Sequence, residues 1–547
     1  MSLFLKLIVT ILVFFVPFSF AGTEPWAFSV MQGLLLLAWA AVLISRRQIF
    51  YPSLFKAVLC TFAVLIGLAL VQSLSPQTLL DSVPWYPVTF MRLYTLDHAS
   101  LFVTYLATVL LIIQVYPSFD EVKQLVWTLI LCAAAVEICE LIFPNGEYVT
   151  FLTGVKTTAD SVGPFVNRNH AGVFFTMNAL LALGLFFTHQ LQFQNVITRK
   201  QKNSVVVQQV CLALISFGLM VAAVFTRSRG AMLSLLVGLF GYSFLCVWCV
   251  PAQMRRKVKK FFYTLALLVL SAAWVYTHME DINEFAHRSN GVSGEIRQMM
   301  YRSAGRILDK YPVWGIGIGA MPVVINEFTE YDVHQYIERL HNDWLEIALG
   351  IGYVGAAMLL FTLAWFAWGA LRRLKRLDLN KQFMFAALLS ALLAMATGSL
   401  VDFHFFIPGC AFVFFCILGL VLAGTFNKGH VHSFHLLVEI IFLLLLLAST
   451  YIPLQKTRCW RAFVFGHGLK TESKLADYEQ GLTYYPCPHY AVRLAVAYYN
   501  VAQRSKDPIE KLFYWELAQQ TAQSYLEKYP KDKELSKIYL RSTNKLK

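Results

Sequence analysis

Charge is what this chain most lacks. Charged residues make up 14% of its 547 residues, against 57% hydrophobic, where a soluble domain carries about 25% charge. That deficit excludes an ordinary water-soluble fold, and the mean hydropathy of +0.56 agrees. No basic stretch interleaved with aromatics occurs in a soluble segment, so the net charge of +14 does not read as a nucleic-acid surface. No Cys/His spacing matches a zinc site, and the 13 histidines include no pair at metal-ligand spacing. Asp-x-Asp is missing from every segment assigned below to the outer face, which leaves no carboxylate pair for a metal there. No metal and no cofactor is expected.

What the chain has instead is apolar blocks. Windows of about 19 residues pick out runs near 3–20, 28–45, 54–73, 99–115, 124–143, 170–189, 204–225, 231–250, 261–277, 344–369, 382–400, 407–426 and 434–453. Each approaches the ~20 residues that cross a ~30 Å hydrocarbon core. The expected fold is an all-α polytopic membrane protein with about thirteen transmembrane helices. Residues 1–21 also carry the marks of a signal peptide; the reading taken is an uncleaved first helix.

Orientation follows from short basic loops. Arg46-Arg47, Arg199-Lys200, Arg255-Arg256-Lys257 and Arg372-Arg373 with Lys375-Arg376 all fall on one side if the runs alternate. That side is then cytoplasmic, with the N-terminus inside and the C-terminus outside. The outer face receives the longer segments 74–98, 144–169, 278–340 and the tail. Two units are expected: a membrane domain over 1–454 and a small helical tail over 455–547. In the tail, Ala491, Leu494, Ala495 and Tyr498, then Ala518, Ala522 and Tyr525, are spaced like half of a tetratricopeptide repeat. A generic helical cap explains the spacing equally well. Cys459 and Cys487 lie beyond the last run, where they either pair in an oxidising compartment or stay as buried thiols.

Arginine on the outer face runs against the basic-inside bias. The turn Thr226-Arg227-Ser228-Arg229-Gly230 joins two runs there. Snorkelling at helix ends explains it; so does an anion site made of two guanidinium groups beside a helix N-terminus. Segment 144–169 ends in Asn167-Arg168-Asn169-His170, polar residues that either cap the next helix or meet a ligand. Stretch 296–311 reads as a helix. At 100° per residue Met300, Tyr301, Ala304, Ile307, Leu308 and Tyr311 share an apolar arc that contains Arg297, while Arg302, Arg306 and Lys310 fall opposite. An arginine inside an apolar arc needs an anionic partner. His341-Asn342-Asp343 then opens the following run. A helix N-terminus disfavours imidazolium, so His341 is expected to be neutral and able to accept a proton.

Phe165-Val166-Asn167-Arg168-Asn169-His170, Ser228-Arg229-Gly230, Arg297 with Tyr301, Pro312-x-x-Gly315-x-Gly317-x-Gly319, and His341 ahead of Gly352 occur in this order. Together they resemble the bacterial O-antigen ligase and polymerase superfamily over roughly residues 1–425. The resemblance implies a C-type glycosyltransferase fold with its active site at the outer face of the inner membrane. It implies a donor glycan on undecaprenyl diphosphate and an acceptor sugar hydroxyl. Arg229 and Arg297 would grip the diphosphate and His341 would act near the reacting hydroxyl, with Arg227, Arg168, Asn169, His170 and Asn342 as substrate-binding neighbours. The chemistry would be metal-independent and inverting. A polymerase acting on lipid-linked repeats is the preferred reading. A ligase acting on a lipid A core or protein is the alternative. A flippase is the rival of another class, poorly served by Glu137 and Glu140, which sit toward one end of their run.

Overall fold

The computed structural model describes residues 2–45, 49–77, 85–153, 160–193, 199–252, 255–256, 258–265, 267, 292–329, 337–423, 431–433, 436–465, 473–527 and 533–546. They are almost entirely helical. The main helices are α1 (Ser2–Phe18), α2 (Pro25–Ile44), α3 (Phe55–Ser73), α4 (Arg92–Val115), α5 (Phe119–Ile142), α6 (Arg168–Phe193), α7 (Arg199–Phe225), α8 (Arg229–Cys249) and α9 (Val292–Lys310). They continue with α10 (Asp343–Leu374), α11 (Leu379–Gly398), α12 (Pro408–Ala423), α13 (Leu436–Ser449) and α14 (Tyr451–Phe465). The tail adds α15 (Ser473–Tyr484), α16 (Pro488–Arg504), α17 (Pro508–Leu526) and α18 (Lys533–Leu546).

Among the described residues ten helices are long and apolar enough to cross a membrane, and α1 and α12 are shorter apolar companions. This is a multi-pass all-α membrane protein. The run near 261–277 falls mostly outside the described residues. Residue 454, expected as a domain limit, lies inside α14, which continues α13 as one apolar span, Leu437–Val464.

Helices α4 and α6 sit at the centre of the bundle, buried almost throughout. Small residues let neighbours close on them, as membrane helices require where no water drives their association. A Cβ on Gly184 of α6 would stand 2.5 Å from Ala387 of α11, and one on Gly419 of α12 would stand 2.7 Å from Ile112 of α4. Helix ends that the basic loops assign to one side do meet. Lys6 pairs with Glu121 at 3.0 Å, Arg373 donates to Ser53 at 2.8 Å, and Lys375 lies over the Trp248 ring.

The opposite end carries a second apolar core, separate from that of the bundle. Ala304, Ile307, Leu308 and Tyr311 of α9 are buried in it, Tyr311 against Phe90, and the same core takes in Leu494 and Ala518 of the tail. Arg302, Arg306 and Lys310 are exposed and Arg297 is half-buried, so the helical wheel orders this helix as the sequence suggests. Cys459 and Cys487 are both buried in the same core with free thiols, the second of the two arrangements anticipated for them.

The glycine string after α9 locks this roof to the bundle. Gly315, Gly317 and Gly319 all have positive φ, a region open to glycine and strained for other residues. They run beside a break in α10 at Gly352, φ 66°. Ile316 donates to Leu349 at 2.9 Å, Gly317 to Gly350 at 3.2 Å, and Tyr353 to Pro312 at 2.7 Å. Gln72 finishes the joint by donating to the Gly350 carbonyl at 2.7 Å and accepting from Ile318 at 3.2 Å.

Candidate active site

His341 sits where this roof meets α10. Its φ of 54° is unusual for a non-glycine residue, and such strain gathers at functional positions. Asn342 follows as the cap of α10, its side-chain oxygen accepting from Leu345 at 3.0 Å. The turn is held from above by Tyr301, whose hydroxyl donates to the His341 carbonyl at 3.2 Å. The imidazole is thereby aimed at the segment between α11 and α12. There its Nδ1 lies 2.9 Å from Oδ1 of Asp402, with the His341 side chain 30% exposed and that of Asp402 3%. An ionised carboxylate only accepts, so Nδ1 carries the proton, which in the neutral imidazole leaves the Nε2 lone pair free.

Asp402 is the residue the sequence reading missed. Its other oxygen accepts from Asn169 Nδ2 at 2.5 Å, and its Oδ1 also accepts from the Phe403 amide at 3.0 Å. Burial pushes its carboxyl up; the His341 hydrogen bond and the nearby His170 and His404 outweigh burial and hold it below the usual carboxylate range. The available signal was modest: a lone acid between two apolar runs, where a charge needs a reason.

The arginines approach from other elements. Arg297 is on α9 one turn before Tyr301, and both Arg297 and Asp402 act on the Tyr301 phenol, which burial raises above its ordinary range. Ser228 caps α8 by accepting from Ala231 at 3.2 Å, which puts Arg229 in its first turn. The turn is brought to the site by two glycines. A Cβ on Gly230 would stand 2.9 Å from Val401, the neighbour of Asp402, and one on Gly172 would stand 2.4 Å from Ala231. Arg227 and Arg229 are exposed.

Three expected substrate contacts have other work. Arg168 pairs with Asp160 at 3.3 Å. Asn169 is spent on Asp402. His170 is buried behind the dyad, its Nδ1 2.9 Å from Nδ1 of His404, with burial lowering the His404 imidazole to about 4. His170, His404 and Cys410, far apart in sequence, offer ligand atoms within 4.8 Å of one another, a set that could hold a metal ion. The Cys410 thiol meanwhile donates to the His170 carbonyl at 3.3 Å. Linear spacing, the only signal the sequence offers, could not reveal this cluster.

Residues 212–360 match the family model described as O-antigen ligase. The match runs from the middle of α7 to the middle of α10, and contains Arg227, Arg229, Arg297 and His341. It covers about a quarter of the chain. Asn169 and Asp402 lie outside it. No curated protein matches the chain.

Proposed function

We propose, from the stretch that matches an O-antigen ligase model and from the pairing of its His341 with Asp402, that this protein moves a glycan from undecaprenyl diphosphate to an acceptor sugar hydroxyl at the outer face of a bacterial inner membrane. The observation that carries the reading is the buried carboxylate behind His341. Asp402 fixes the imidazole tautomer and compensates the charge that forms when Nε2 takes a proton. The acceptor oxygen attacks the anomeric carbon, its proton goes to His341 Nε2, and the bond to the diphosphate oxygen breaks. Undecaprenyl diphosphate leaves with the electron pair. Arg229 and Arg297 supply forked donors to that growing negative charge. One displacement inverts the anomeric centre, and no step requires a metal.

The membrane unit, taken as 1–454 with its roof, does the chemistry; the tail from 455 supports it. A polymerase, with another lipid-linked repeat as acceptor, is preferred over a ligase using a lipid A core or protein, on the strength of the appended tail and the extended 74–98 segment. A flippase is less well supported. Glu140, an acid within a span, accepts from the Gly163 amide at 2.5 Å, a structural tie and not a station on a path. The test is transfer by the purified full chain from host lipid-linked glycan, with release of undecaprenyl diphosphate measured alongside. Transport without any release would sink the enzyme reading.

A further inference from the structure

Beside His341 opens a cavity of about 520 Å³, within the ~300–1,000 Å³ usual for small-ligand sites. Among the residues assigned above to the reaction, His341 alone lines it; Arg229 and Arg297 do not. On α9 its lining residues are Ile296 and Met300. Arg297 and Tyr301 follow each of these by one residue, about 100° further round the helix. Arg297 therefore stands between Met300 and Tyr301 on the wheel, next to the cavity's lining arc without lining the cavity itself.

A single displacement needs nucleophile and leaving group on opposite faces of the anomeric carbon. With the diphosphate met by arginines that do not line the cavity, the hydroxyl is placed on the side that His341 does line. We infer that this cavity is the acceptor site, that it takes the hydroxyl-bearing end of a glycan, and that the last membrane helix, α13–α14, is its specificity wall. This rests on the glycosyl-transfer reading above.

The lining suits a sugar. Lys456 of α14 pairs with Asp97 of α4 at 2.6 Å. Arg339 pairs with Glu346 at 2.7 Å and lies over the Phe406 ring at 4.3 Å. Paired charges keep spare lone pairs and N–H groups for hydroxyls, while Phe403 and Phe406 add aromatic surface to the lining for sugar C–H groups. An acyl chain would demand an apolar lining without ion pairs. Helix α14 is fixed in place by Ser29 with Thr457 at 2.9 Å, and α13 by Ser100 donating to the Ser449 carbonyl at 2.7 Å. The resemblance in sequence ends near residue 425, so this wall belongs to the part of the chain beyond it.

Two probes separate the sides of the reaction in the purified full chain. Undecaprenyl diphosphate alone reports the donor side. Lipid-free glycan fragments, released by mild acid from the producing cells' surface polysaccharide, serve as acceptor with host lipid-linked glycan as donor. Lys456→Met should raise KM for the fragment about tenfold or more, the worth of a hydrogen bond to a charged group. The double variant Asp97→Asn, Lys456→Met should do the same without a stranded charge. Leu101→Trp, which fills the cavity, should do so too, with undecaprenyl diphosphate affinity held within about twofold. An unchanged acceptor KM in the Leu101→Trp and double variants overturns the inference. Loss of undecaprenyl diphosphate affinity in either would make the cavity a donor site and overturn it as well. A wild-type chain that neither binds undecaprenyl diphosphate nor transfers glycan would instead remove the reading beneath it.

Discussion

His341 and Asp402 are 61 residues apart in the chain, and 2.9 Å separates the imidazole Nδ1 from the carboxylate. Two elements must be in register for that contact: the cap of α10 and the turn between α11 and α12. The Asp343 amide secures the register by donating to the Ser399 carbonyl at 2.9 Å, and the Asp343 side chain does so by accepting from the Phe405 amide at 2.9 Å.

Asp402→Asn and His341→Ala should each lower kcat for glycan transfer by about a hundredfold to ten-thousandfold, the span of general-base contributions. Affinity for undecaprenyl diphosphate should hold. Normal turnover by Asp402→Asn would show that the carboxylate only positions the turn.

The depressed Asp402 carboxyl also makes stability depend on pH. Its ionised form is favoured by the fold, so its contribution is complete above the unfolded value near ~3.9 and drains away as pH falls toward the lower folded value. Thermal unfolding in detergent should show the wild type losing more stability than Asp402→Asn between about pH 6 and about pH 3. Equal losses would contradict the assignment.

Arg297→Ala should cost roughly 2–4 kcal/mol of transition-state stabilisation, a loss of about thirtyfold to a thousandfold. Arg297→Lys should be nearly as damaging, since an ammonium lacks the forked geometry. Arg302→Lys should stay within about twofold to threefold on its exposed face. Essential Arg302 with dispensable Arg297 would move the anion site elsewhere.

Transfer should persist in excess EDTA, and metal analysis of the purified chain should find no stoichiometric ion. A stoichiometric metal lost from His170→Ala or Cys410→Ser would establish the buried cluster as a metal centre. Activity restored only by added metal would make the arginine pair insufficient.

Gly315→Ala should prevent stable folding, because its Cβ would stand 2.1 Å from the Leu349 carbonyl at a φ of 71°. Gly305→Ala, with nothing within 4 Å of the new Cβ, should be neutral or add about 0.5–1 kcal/mol through helix propensity. Circular dichroism melts distinguish the two.

Much of this architecture is legible in the residues. Apolar runs carry the spans, since each needs only length and composition, and the α9 face follows from 3.6-residue periodicity. The partnerships of single polar residues are not legible in that way. Nothing local to Asp402 names His341, and nothing local to His170 names His404, because both contacts depend on how distant helices pack. Arg168 shows the opposite failure: its charge is evident, and its pairing with Asp160 is a matter of loop geometry. The arginines of 226–230 stood out because topology makes them costly, which is a physical signal that survives without a structure.

The second apolar core has a consequence for the order in which the protein is made. The face of α9 that it buries is translated well before α14 and the tail helices that share it. At ~5–20 residues per second, the later part of that core follows only after about ten seconds or more, while the last span is still being inserted. The wall carrying Lys456 arrives in the same late stretch. A ribosome that stalls before α14 would therefore leave a membrane bundle holding His341, Asp402 and both arginines, with its roof uncovered and one side of its cavity open to water.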